Sequence, residues 1–313
     1  MTELRAAVVG VGHLGRYHAE KYADLPGVRL VAVVDRDAAR AREVADALGA
    51  VVLADHRALA GVVDCASVAV PTAAHAEIGG DLLAAGIDVL IEKPLASTAA
   101  EGAELVAAAG ARGRVLQVGH LERFNPALRA AQAVITEPRF LECHRLAPFV
   151  ERGTDVDVIR DLMIHDLDVI QSFIAADVES VEAVGVPVLT PRVDIANARL
   201  RFANGCIANV TASRVSMKRE RMLRLFQPDA YVAIDYDQRR VRIVRREPSA
   251  TPGTLANIVA DERDAGAGDP LRDEIAAFVT AVRDRTAPLV GGREGLRALE
   301  LAERIAAAIE PAA

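Results

Sequence analysis

The chain has 313 residues, of which 51% are hydrophobic and 26% charged, with 22 Gly, 14 Pro and a formal charge of −7. That length leaves room for two domains, and the composition is that of an ordinary globular protein. The negative balance argues against nucleic acid as a partner, and no apolar run approaches the roughly 20 residues of a membrane span.

Leu4 to Val9 reads as a short apolar strand. It runs into Gly10-Val11-Gly12-His13-Leu14-Gly15 and then into a helix-like stretch through Leu25. This is G-x-G-x-x-G in the strand–turn–helix setting that a dinucleotide site needs. Gly10 permits the tight turn, Gly12 lets backbone approach a pyrophosphate, and Gly15 lets helix and strand pack closely. A second strand, Val28 to Val34, ends at Asp35. A carboxylate there, roughly 20 residues after the glycines, accepts ribose hydroxyls and favours NAD. Arg36 beside it could hold a 2′-phosphate and leaves NADP open.

Further strands are expected near 4–9, 28–34, 64–70, 87–91 and 114–119, with a short one at Val51 to Leu53. Ala-rich helical stretches lie between them, which is the pattern of a doubly wound parallel sheet. Ile87 to Ile91 leads into Glu92-Lys93-Pro94. A lysine at the carboxyl end of such a strand points into the crevice where these sheets bind ligands, and Pro94 stiffens its backbone.

The pattern changes after Phe124-Asn125-Pro126. One helix is expected over about 157–174, followed by strand-like segments from Val178 to Val244 and two closing helices near 271–284 and 293–309. Asn204-Gly205 signals a hairpin. The fold class is therefore α/β. A Rossmann domain over 1–121 precedes a second α/β domain over 122–313, whose open sheet is mostly antiparallel.

The 157–174 helix carries one polar stripe on apolar flanks: Asp157, Asp161, His165 and Asp168, within an arc of roughly 80° at helical spacing. It could be a set of surface pairs, a metal site or acid–base machinery. The favoured reading is that Asp161, one turn before His165, orients the imidazole. No second ligand cluster supports a metal. Three odd, widely spaced cysteines, Cys65, Cys143 and Cys206, suit buried free thiols in a reducing compartment. With no signal-peptide pattern, the expected location is the cytoplasm.

Gly10-x-Gly12-x-x-Gly15, Pro71-Thr72-x-x-His75, Glu92-Lys93-Pro94 and Asp161-x-x-x-His165-x-x-Asp168 together resemble the Gfo/Idh/MocA family of sugar and polyol dehydrogenases. The resemblance extends to Pro270-Leu271-x-x-Glu274-Ile275-x-x-Phe278 in the closing helices. It implies a cofactor contact by Val70, Pro71, Thr72, His75, Glu92 and Lys93 in addition to the glycine loop with His13 and Leu14. It also implies a lysine that contacts substrate, a histidine and aspartate that handle the proton, and a carboxyl-terminal sheet through which dimers or tetramers form. Those roles map onto Lys93, His165 and Asp161. Val70 stands where many members have threonine.

The segment Val118 to Pro126, with Asp161 to Asp168, is similar to members that oxidise the 3-hydroxyl of UDP-N-acetylglucosamine. On that likeness His120, Glu122, Arg123, Asn125, Arg145, Asp157, Asp161, His165 and Arg214 are candidate substrate contacts. Arg214 to Arg224 form either a clamp on a diphosphate or a solvated strand face. Three functions stay open: an NAD-dependent dehydrogenase of a nucleotide sugar, a dehydrogenase of another polyol or aldose such as inositol, and a non-catalytic dinucleotide sensor.

Overall fold

A computed structural model describes residues 3–150, 156–246 and 258–309. The chain forms two compact units, Met1–Leu121 with Asp269–Glu300, and Glu122–Gly268 with Leu301–Ala313. The first junction between the units falls between Leu121 and Glu122. The segment Asp269–Glu300, read from sequence as part of the second domain, sits instead in the first unit.

The first unit alternates strand and helix. Its strands are β1 (Leu4–Val9), β2 (Val28–Val34), β3 (Val51–Leu53), β4 (Cys65–Val68), β5 (Asp88–Glu92) and β6 (Leu116–Gly119). They form one parallel sheet in the order β3-β2-β1-β4-β5-β6. The helices between them are α1 (His13–Asp24), α2 (Ala38–Leu48), α3 (His75–Ala84) and α4 (Ala99–Ala111). Local chemistry fixes their ends. The Asp37 carboxylate caps the Ala39 and Arg40 N–H groups of α2, and Gly49 at φ 70° closes it. Thr98 and Glu101 make a capping box on α4. The order of strands reverses between β1 and β4, so the carboxyl ends of those strands flank the switch point where such sheets bind ligands.

The returning segment supplies α7 (Pro270–Asp284). Asp269 caps it and Pro270 opens its first turn. Its Ile275, Phe278, Val279 and Val282 join Ala19, Tyr22, Val28 and Val33 in a single buried cluster. This is why an amphipathic helix so late in the chain belongs with the first sheet.

The second unit opens with α5 (Pro126–Gln132), capped by Asn125. Its eight strands are β7 (Phe140–Leu146), β8 (Val178–Val186), β9 (Ile195–Phe202), β10 (Ile207–Ser213), β11 (Glu220–Gln227), β12 (Ala230–Asp235), β13 (Arg240–Arg246) and β14 (Ile258–Asp264). They order as β14-β13-β12-β11-β7-β10-β9-β8, antiparallel except for the β7–β10 pair. The Asn204-Gly205 signal is realised as the β9–β10 turn, with Gly205 at φ 82°. Alternation along the inner strands buries one face, with Leu141, Cys143, Leu200, Val210, Leu223 and Val232 inside.

The helix expected over 157–174 is not uniform. Ile159–Met163 is a π-helical turn, followed by α6 (Ile164–Phe173). The Ile164 N–H accordingly reaches the Ile159 carbonyl, five residues back. A wider turn changes the angle per residue, so a stripe drawn at a constant 100° does not survive it. The last helix is α8 (Gly292–Ala308).

Candidate active site

The glycine turn is shaped for a phosphate. Gly10 has φ +84°, and a Cβ there would meet the Ala69 carbonyl oxygen at 2.6 Å. A Cβ on Gly15 would come within 1.8 Å of the Gly10 oxygen, so α1 approaches this closely only without a side chain. At Gly12 the nearest tertiary atom to a Cβ is Arg40 Nη1, at 4.0 Å. Space is therefore open at the one glycine whose backbone must face the ligand. The first turn of α1 carries no side-chain cap at Gly12, which leaves N–H groups and a positive dipole end for an anion. His13 and Leu14 are exposed on that turn. His13 packs edge-on against Tyr17, with centroids 5.5 Å apart.

Asp35 follows β2. Its Oδ2 accepts the Val11 N–H at 2.8 Å and its Oδ1 the Asp37 N–H at 2.8 Å. A carboxylate offers about four acceptor positions, so capacity remains for ribose hydroxyls. Arg36 is exposed, and Arg40 lies 3.8 Å from Asp35. The open glycine, the uncapped helix start and the anchored carboxylate together fit a dinucleotide.

Beyond β4, Val70 and Thr72 are half-buried and Pro71 is exposed. His75 is 1% exposed, and its Nδ1 and Nε2 lie 2.8 and 2.9 Å from the carbonyl oxygens of Pro94 and Val70. Glu92 ends β5 and turns inward. Its Oε1 is 3.0 Å from Nε2 of the buried His18. A Cβ on Gly119 would collide with this carboxylate at 2.8 Å, so β6 carries glycine opposite it. Between these two buried neighbours of different kinds, Lys93 stays half-buried at the strand end, joined to Pro94 by a cis peptide.

In the second unit, Asp157 accepts the Arg160 N–H at 2.9 Å and pairs with the Arg160 guanidinium just ahead of the π turn. Asp161 and His165 are half-buried, one on the π turn and the other on the first turn of α6. Asp168 parts from them: it is buried, 3.4 Å from Arg123.

Beside Asp168 on α6, Asp166 holds a position that the sequence reading passed over. Arg145 is 2% exposed and spans two carboxylates. Its Nε and Nη2 reach Asp166 at 2.9 Å each, and its Nη1 reaches Glu122 at 2.9 Å. Asn125 donates to the other Glu122 oxygen at 3.2 Å, and the guanidinium sits 5.8 Å from the Tyr236 ring centroid. Burial opposes the Arg145 charge, but Asp166 and Glu122 outweigh it and hold the pKa well above the ordinary arginine value. Glu122, Asn125 and Arg145 therefore meet one another inside the unit. A signal existed: Asp166 adjoins His165 in sequence, and an arginine on an inward strand position requires a buried acid.

His120, in the first unit, is fully buried. Arg214 is buried as well, donating to the Val156 carbonyl at 2.8 Å, with Asp194 4.0 Å away. The arginines after it do not form one clamp. Three residues apart on β11, Arg221 and Arg224 project to opposite faces of the sheet. Arg221 approaches Glu122 at 3.6 Å and Arg224 approaches Glu142 at 3.9 Å. Arg219 is held by Asp237 through two nitrogens.

Comparison with known proteins accounts for this arrangement. Residues 4–120 match the oxidoreductase family model with an NAD-binding Rossmann fold, and residues 127–234 match the GFO/IDH/MocA carboxyl-terminal domain. A UDP-N-acetylglucosamine 3-dehydrogenase from Acidithiobacillus ferrooxidans is 38% identical over 311 residues, 99% of this chain and 98% of that one. The chain belongs to the Gfo/Idh/MocA oxidoreductase family. A solved structure of the Acidithiobacillus enzyme superposes with a TM-score of 0.92 at 37% identity, covering 99% and 98% of the two chains. An inositol 2-dehydrogenase from Pseudomonas fluorescens is 35% identical over 211 residues, 63% of this chain and 61% of that one. Levoglucosan dehydrogenase in complex with NADH shares the fold, with a TM-score of 0.87 at 17% identity over 97% and 96% of the chains. As in the rest of this oxidoreductase family, the first unit is an NAD-binding Rossmann domain. No described helix is long and apolar enough to cross a membrane.

Proposed function

We propose that this chain is an NAD-dependent dehydrogenase that oxidises the 3-hydroxyl of UDP-N-acetylglucosamine or a close nucleotide-sugar analogue. The observation that carries the reading is the likeness to the Acidithiobacillus enzyme along nearly the whole of both chains. In this reading NAD, when bound, supplies the hydride acceptor. Lys93 hydrogen-bonds the reacting oxygen and stabilises negative charge as it develops. His165 takes the hydroxyl proton, and Asp161 orients the imidazole. Asp35 selects NAD by accepting ribose hydroxyls. Arg145, Glu122, Asn125 and Asp166 brace the helix that carries His165, whereas Arg123 and His120 remain candidates to contact the sugar nucleotide.

In this reading the enzyme works in the cytoplasm, a reducing compartment that suits three buried free thiols. It assembles as a dimer or tetramer through the open face of the second sheet. That face carries an aromatic group, with Phe140 and Phe226 centroids 5.6 Å apart and Phe226 and Tyr231 5.0 Å apart. The test is absorbance at 340 nm with NAD or NADP against UDP-N-acetylglucosamine, other nucleotide sugars, free N-acetylglucosamine, myo-inositol and aldoses. Turnover with NAD and UDP-N-acetylglucosamine, yielding a 3-keto product, is expected. Faster turnover of myo-inositol or a free aldose overturns the substrate and favours the polyol reading.

A further inference from the structure

We infer that His18 and His75 are positioning residues that set Lys93 by gripping the residue on either side of it. The inference rests on the reading of Lys93 as the group that meets the reacting oxygen.

On the amino-terminal side the grip is on the Glu92 side chain. A carboxylate only accepts, so the 3.0 Å contact is a donation from His18 Nε2–H. The other ring nitrogen lies 3.1 Å from Ser67 Oγ, and Ser67 Oγ lies 2.9 Å from the Tyr22 hydroxyl. Burial pushes the Tyr22 pKa well above the ordinary tyrosine value, so this phenol keeps its proton. One set of donors satisfies the whole chain: Tyr22 to Ser67, Ser67 to His18 Nδ1, and His18 Nε2 to Glu92. It runs from α1 through β4 to β5, and all four side chains are buried. Glu274 on α7 adds a second carboxylate, with its ligand oxygen, His18 and Glu92 all within 4.8 Å of one another.

On the carboxyl-terminal side the grip is on backbone. His75 lies between the carbonyls of Pro94 and Val70; the neutral ring donates to one of them, and only the protonated ring donates to both. Burial, with Lys93 adding to it, lowers the His75 pKa, while the two carbonyls and Glu92 oppose that shift.

Histidines that merely fill a core have no reason to converge on the two neighbours of one lysine from different elements. Both also follow cofactor-binding turns: His18 is three residues after Gly15, and His75 is three residues after Thr72. The segments that hold the dinucleotide are thus the segments that hold Lys93.

The chain contains only three lysines, Lys21, Lys93 and Lys218, so the ammonium can be watched directly. Reductive methylation with ¹³C-formaldehyde gives three resolvable side-chain signals, and Lys93→Met assigns the one of interest. In His75→Leu and in His18→Leu the Lys93 signal should shift while that of Lys218 stays in place. With NAD and UDP-N-acetylglucosamine as probes, kcat should fall about 10–100-fold, within the range that misplacement of a reacting group produces. In His18→Leu, NADH affinity, read by fluorescence, should stay within about threefold. His75→Gln, which keeps an amide donor, should recover part of the rate. If the leucine variants do not fold, His75→Gln and His18→Asn carry the same readouts, with a smaller shift expected. A Lys93 signal that stays put in folded variants of both histidines overturns the inference. So does a rate loss by His75→Gln that is undiminished in the Lys93→Met background, because a residue acting through Lys93 adds nothing once the ammonium is gone. Full turnover by Lys93→Met alone would instead overturn the reading of Lys93, whatever the histidines do to its signal.

Discussion

His165 is the side chain on which proton transfer is expected to turn. His165→Gln keeps the size and a polar end but removes the base, and kcat should fall by about 10²–10⁴-fold with NADH affinity unchanged. Stopped-flow fluorescence and steady-state rates check both halves, and a variant with most of its turnover would make His165 structural. Arg145 tests the opposite kind of role. Removing it as Arg145→Met takes the bidentate cation from buried Asp166 and leaves Glu122 only the more distant Arg221, a loss of about 3–5 kcal/mol for a broken buried pair. Chemical denaturation should show this, and a neutral effect would mean that the two acids take up protons cheaply. The three thiols should be inert. Burial raises all of them, Cys206 to about 11, so DTNB at neutral pH should label the native protein hardly at all and label three thiols after denaturation. The tight turn at Gly10 and the close approach at Gly15 were legible in sequence because they are local backbone geometry. The partners of Arg145 were not, because Glu122 and Asp166 come from elements that only the fold brings to it.

Among the elements, the strands and the extent of the site helix were legible, and the π turn within that helix was not. Alternation along β9 and β10, with Asn204-Gly205 between them, specifies a hairpin from neighbouring residues alone. The π turn at Ile159–Met163 leaves no such mark, since the same apolar spacing suits an α turn. On β11, period two sends Arg221 and Arg224 to opposite faces of the strand. The loop before β9 gives the clearest prediction at this scale. Asp194 is fully buried and accepts the N–H groups of Val188, Leu189 and Thr190 at 2.8, 2.6 and 2.8 Å. Burial pushes its carboxyl up, but those N–H groups outweigh burial and hold it below the ordinary carboxylate value. Its contribution is therefore present above the unfolded carboxylate pKa and is lost as pH falls through the lowered folded value. Asp194→Asn should cost about 1–3 kcal/mol at neutral pH, from donors left facing an amide NH₂. The gap from wild type should close as both are taken to low pH in thermal melts. A gap that widens with acid would contradict this account.

For the molecule as a whole, the open sheet face is the feature to perturb. Phe226 is exposed and stacked with Phe140, and an apolar group of this kind on a strand face suits association. Phe226→Arg should shift light-scattering mass from dimer or tetramer toward monomer, with the melting temperature little changed. Wild-type protein that is monomeric at micromolar concentration would remove this face as an interface. The division of the chain was half legible. The junction at Leu121 announces itself by the end of strand–helix alternation. The return of α7 to the first unit does not, because an amphipathic helix says that it needs an apolar surface and not which one.

That return means that Glu122–Gly268 interrupts the sequence of the first unit, and Leu301–Ala313 then rejoins the second. On the ribosome, all six strands of the Rossmann sheet emerge before α7, and Glu122–Gly268 must pass in between. Throughout that interval Ala19, Tyr22, Val28 and Val33 wait for Ile275, Phe278, Val279 and Val282. Each of those four late side chains is worth about 1.5–3 kcal/mol when buried. The nascent cofactor domain is thus held incomplete until most of the polypeptide exists. A product that stops before α7 would leave the flank of the first sheet that these four side chains cover exposed.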